Sequence, residues 1–86
     1  MNLKDTIQLM LSDDFKERFK AEYYQLNKRI AGLQGMLIQY RQGTLDFVPN
    51  CSYDLLHEQL VYMELYREIL EERAKIENID LSVEPY

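Results

Sequence analysis

The sequence predicts an all-α fold: a long antiparallel helical hairpin with a short N-terminal helix, one domain over residues 1–86, assembling as a homo-oligomer. Three observations carry this. Apolar and aromatic residues fall at Phe15, Phe19, Tyr23, Leu26, Ile30, Leu33, Leu37 and Tyr40, a heptad-like stripe of threes and fours. A second stripe follows at Leu56, Leu60, Met63, Leu70 and Ala74. Between them lies Gly43 to Ser52, GTLDFVPNCS, an elbow that turns the second stripe back onto the first. Two helices without a third layer leave half of each surface wet, and a chain of 86 residues has a thin core, so copies are expected to associate.

In chain order, residues 3–11 place Leu3, Ile7, Met10 and Leu11 on one face of a short helix that docks on the hairpin or on a neighbour. Ser12, Asp13 and Asp14 break the pattern, and Asp14 with Glu17 reads as a capping box for the next helix. That helix runs over 14–42, about 40 Å at 1.5 Å per residue. Gly32 and Gly35 lie inside it, each at a cost of about 1 kcal/mol relative to Ala, which suggests a close backbone approach, a bend, or drift. Met36, Leu37 and Ile38 in a row suggest cover from two sides.

The elbow is assigned to 43–52. Gly43 suits the left-handed position after a helix end. Leu45, Phe47 and Val48 are apolar enough to fold over the end of the hairpin as a plug, and Pro49 holds Val48 extended. Ser52 caps the third helix, 53–78, with Asp54 in its first turn. This helix has another apolar stripe, Leu55, Tyr62, Tyr66, Ile69 and Ile76, displaced around the cylinder, so two partners are expected. Its solvent face is mainly acidic, with a favourable Glu71–Lys75 pair. Residues 79–86, with Pro85, read as a tail that is ordered at first and then frays.

Fifteen acidic against ten basic residues give a net charge of −5, which argues against DNA, RNA or an anionic membrane as partner. The single cysteine, Cys51, excludes an intrachain disulfide framework and fits a cytosolic protein. No apolar run approaches the length of a membrane span, and the first residues lack the pattern of a signal peptide.

Catalytic signals are weak. His57–Glu58 starts like a zinc-protease helix, but Val61 stands where a second histidine is needed. One His and one Cys cannot make a protein-only zinc site in one chain, and no glycine-rich phosphate loop follows a strand. Neither metal nor cofactor is expected. Cys51 and His57 are six residues apart, and the favoured reading is a partly buried thiol and a surface imidazole.

Binding signals are better. Arg67 interrupts the core stripe between Met63 and Leu70; it either snorkels to Glu64 or Glu71 or grips a phosphate with its forked donors. Arg41 and Arg73 lie toward opposite ends of the hairpin. Of the seven tyrosines, Tyr40 joins Arg41 in facing Phe47 in the elbow and Tyr53 just beyond it, a group suited to stacking a purine and holding its phosphate. Tyr62 and Tyr66 add aromatic surface on the second stripe. The expected ligand residues are therefore Tyr40, Arg41, Phe47, Tyr53, Tyr62, Tyr66, Arg67 and Arg73.

The opening FKERF, the elbow GTLDF followed by a Cys, and the run LLHEQLVYM to YREILEERA resemble a group of small phage and prophage proteins from Gram-positive hosts, related to a crAss-like phage protein, over residues 15–81. The resemblance implies a phage product expressed in the host bacterial cytoplasm. By analogy with oligomeric sponges that counter CBASS and Thoeris defence, it implies capture of an ADP-ribose-derived or cyclic nucleotide signal without catalysis. The alternatives are a helical module that inhibits a host protein through its acidic face, and a structural piece of the phage particle.

Overall fold

The computed structural model describes residues 4–81, and among these every regular element is helical. A 3₁₀ turn, Lys4–Thr6, runs into α1, Ile7–Met10; α2 spans Phe15–Gln42 and α3 spans Tyr53–Glu77. Helices α2 and α3 form the hairpin, and α1 lies on α2.

Caps define each end. The Asp14 carboxylate accepts from the Lys16 amide at 2.9 Å, while the Asp14 amide donates to Ser12 Oγ at 3.0 Å. The reciprocal Glu17 contact of a capping box is thus replaced by Ser12. Gly43 takes φ 71°, with the Thr44 amide donating back to Gln39 at 2.9 Å; Asn78 repeats the motif at φ 56°, with Ile79 donating to Ala74 at 2.8 Å. Ser52 Oγ accepts from the Leu55 amide at 3.1 Å and starts α3 as expected.

The core follows the two stripes. Near the elbow, Ile30, Leu37 and Leu60 are buried together, flanked by Leu33, Tyr53, Leu56 and Met63. At the far end Phe19, Leu70, Ala74 and Ile79 form a second cluster, and Leu26 touches both. Ile79 shows that the start of the tail is packed against the core; residues 82–86, including Pro85, lie outside the described residues.

Several expectations change. In the N-terminal segment Thr6 and Leu9 are buried, whereas Ile7, Met10 and Leu11 are exposed. Thr6 and Leu9, three residues apart, share the face turned to α2, and Ile7, Met10 and Leu11 fall off it. Leu9 packs with Ala21 and Tyr24, and the Gln25 side-chain amide donates to Thr6 Oγ1 at 2.7 Å. Leu3 lies outside the described residues. Phe15, at the start of α2, is exposed; near the other end Leu37 is buried and Ile38 exposed, so the Met36–Ile38 run is covered from one side only in the single chain. Phe47 and Val48 are exposed and do not plug the hairpin; Tyr53, coming off the Ser52 cap, occupies that end instead. Lys75 pairs with Glu72 at 3.6 Å rather than with Glu71.

A Cβ built on Gly32 or Gly35 meets nothing within 4 Å, which removes close backbone approach as their reason. Gly32→Ala and Gly35→Ala are each expected to raise stability by up to about 1 kcal/mol through helix propensity, measured by urea unfolding.

Candidate functional site

The elbow gathers chemistry because two caps fix it. The Gly43 turn ends α2 just after Tyr40 and Arg41, and the Ser52 cap starts α3 at Tyr53. The Tyr40 and Tyr53 rings meet edge to face, centroids 5.6 Å apart. His57, one turn further on, stacks on Tyr53 at 6.1 Å with 18° between planes. Beside this array a groove of about 310 Å³ is lined by Gln34, Leu37, Ile38, Arg41, Tyr53, His57 and Leu60. A neighbouring hollow of about 260 Å³ lies under the loop between Tyr40, Leu45, Phe47 and Pro49. Apolar and aromatic walls with one exposed guanidinium suit a flat heteroaromatic ligand carrying a phosphate.

The structure thus brings Tyr40, Arg41 and Tyr53 together and sets Phe47 in the adjoining hollow. The other named residues lie elsewhere. Arg67 is half-buried in the hairpin and donates to Asn27 Oδ1 at 3.3 Å, not to Glu64 or Glu71. The Arg73 guanidinium rests 5.0 Å from the Phe19 ring centroid at the far end. The Tyr66 hydroxyl donates to Glu22, and Tyr62 is exposed on the outer side of α3. His57 is the addition, and its signal was the four-residue spacing from Tyr53.

Cys51 is exposed, not partly buried, and no hydrogen bond joins it to His57. Among the described residues no three His, Cys, Asp or Glu side chains converge as a metal site, and no helix is long and apolar enough to cross a membrane.

A family model described as Sequestin matches residues 13–76. The chain belongs to the Sequestin family. The Sequestin match takes in all of α2, the elbow and α3 up to Ile76, and so includes the whole aromatic group and Arg41. It leaves α1 outside. The family's name is compatible with a sequestering role, hence with binding in preference to turnover. No curated protein and no solved structure matches the chain.

Proposed function

We propose that this Sequestin chain is a phage anti-defence protein that acts in the host bacterial cytoplasm, where it binds an immune nucleotide signal, ADP-ribose-derived or cyclic, and withholds it without turnover. The observation that carries this reading is the groove in which Arg41 stands beside the Tyr40–Tyr53–His57 array. The base lies against the aromatic rings, and the phosphate meets the forked guanidinium donors. With a net charge of −5 the chain has no long-range pull on an anion, so the local arginine must supply the attraction. Glu64, which accepts from Gln34 at the rim of this groove at 3.2 Å, repels phosphate on the side away from the elbow and confines it near Arg41.

Calorimetric titration with ADP-ribose, NAD-derived cyclic signals and cyclic dinucleotides is expected to give sub-micromolar binding to at least one, with the nucleotide recovered intact by chromatography. Flat titrations throughout would remove the reading; a chemically altered nucleotide would remove the sponge.

A further inference from the structure

The outer side of α3 carries a line of exposed apolar side chains, Leu55, Tyr62, Leu65, Ile69 and Ile76, Ile76 by 78%; Tyr66 borders it, its ring partly exposed while its hydroxyl reaches Glu22 on α2. Leu55, Tyr62, Ile69 and Ile76 recur every seventh residue, so they hold one line along the helix, about a third of a turn from the side that packs on α2. The strip is about 32 Å long, and exposed apolar patches of this kind mark interaction surfaces.

The strip also reads the same in both directions. Starting from the peptide bond between Leu65 and Tyr66, Tyr62 and Ile69 are equidistant, as are Leu55 and Ile76, and as are Glu58 and Arg73. A two-fold interface requires such self-complementarity, each residue meeting its counterpart twice. We infer that α3 is the interface of an antiparallel homodimer whose axis passes beside Leu65 and Tyr66. Leu55 then lies by the partner's Ile76, Tyr62 by the partner's Ile69, and Glu58 by the partner's Arg73, giving two equivalent ion pairs.

Charge selects this arrangement over a parallel one. The first half of α3 carries Asp54, Glu58 and Glu64 with no lysine or arginine, while Arg67, Arg73 and Lys75 all lie in the second half, interspersed there with Glu68, Glu71, Glu72 and Glu77. Antiparallel pairing sets the acidic half against the half that holds the cations; parallel pairing sets Glu58 against Glu58 and Glu72 against Glu72, which is unfavourable. Arg73 is already held in place by its seat over Phe19, so less side-chain freedom is lost when Glu58 arrives. The ligand groove is lined from α3 by Tyr53, His57 and Leu60, none of them in this strip, so the inference does not rest on the nucleotide reading.

Sedimentation equilibrium of the full chain over a concentration series is expected to show a dimer. Ile69→Glu should give monomer with unchanged helical circular dichroism, since the side chain is exposed. Glu58→Arg should weaken the dimer about 10-fold by setting like charges together, and adding Arg73→Glu should restore it. In a Cys51→Ser background, spin labels on Leu65→Cys should lie close together, whereas labels on Ile76→Cys should be roughly 30 Å apart. A monomer at every concentration, a dimer indifferent to Ile69→Glu, or close labels at both positions would overturn the inference.

Discussion

Leu70→Ala should destabilise the protein by about 3 kcal/mol and lower its melting temperature by on the order of 15 °C in thermal unfolding. Leu70 is fully buried and sits between Phe19, Ala74 and Ile79, with Tyr23, Leu26 and Leu81 around it. Its removal takes away the transfer energy of a whole isobutyl group and leaves a cavity that two rigid helices cannot close. A chain of this size has a total stability of roughly 4–13 kcal/mol, so the loss is a large share of it. Leu65→Ala on the outer side of α3 is the internal control. In dilute protein it should change stability by less than about 0.5 kcal/mol, because its side chain is half in water already. Any larger effect should grow with protein concentration, as it does when a folded dimer is the species being stabilised.

Arg41→Ala should weaken nucleotide binding by about 1.5–3 kcal/mol, roughly 10- to 150-fold in Kd by calorimetry, with the unfolding midpoint nearly unchanged. The side chain is exposed at the last turn of α2. Removing it costs little packing, so the effect on binding separates from any effect on folding. Arg41→Lys should recover only part of the affinity, because an ammonium lacks the planar fork that meets two phosphate oxygens at once. Arg73→Ala, at the opposite end of the hairpin, should leave Kd within about twofold if the phosphate lies at the elbow. An equal loss from Arg41→Ala and Arg73→Ala would place the ligand elsewhere.

Much of this architecture was legible because it rests on spacing. The stripes from Phe19 to Tyr40 and from Leu56 to Ala74 are periodic over many turns, and Gly43 and Ser52 are residue types with strong positional chemistry. What periodicity could not settle was which side of a short segment faces inward. Ile7, Met10 and Leu11 form a face under an α-helical period, yet the contacts of Leu9 with Ala21 and Tyr24 and of Thr6 with Gln25 turn the other side to α2. The apolar elbow failed for a related reason: composition cannot say whether Phe47 and Val48 or the neighbouring Tyr53 fills the end of the hairpin. The Tyr40, Arg41 and Tyr53 grouping was readable from their place at the two caps. The four-residue spacing puts His57 on the same side of α3 as Tyr53, but the ring contact itself depends on side-chain direction, which spacing leaves open.

Arg67 and Asn27 also decide how the two long helices line up. Apolar layers on either side would tolerate slippage of α3 along α2 by a turn, since one leucine contact resembles the next. Such a slip would draw the guanidinium away from its amide acceptor, 3.3 Å off in the native alignment, and press it against hydrocarbon. This part-buried polar layer, with the exposed Gln34–Glu64 and Tyr66–Glu22 contacts to either side of it, therefore favours one register of the whole zipper, at the cost of one apolar contact.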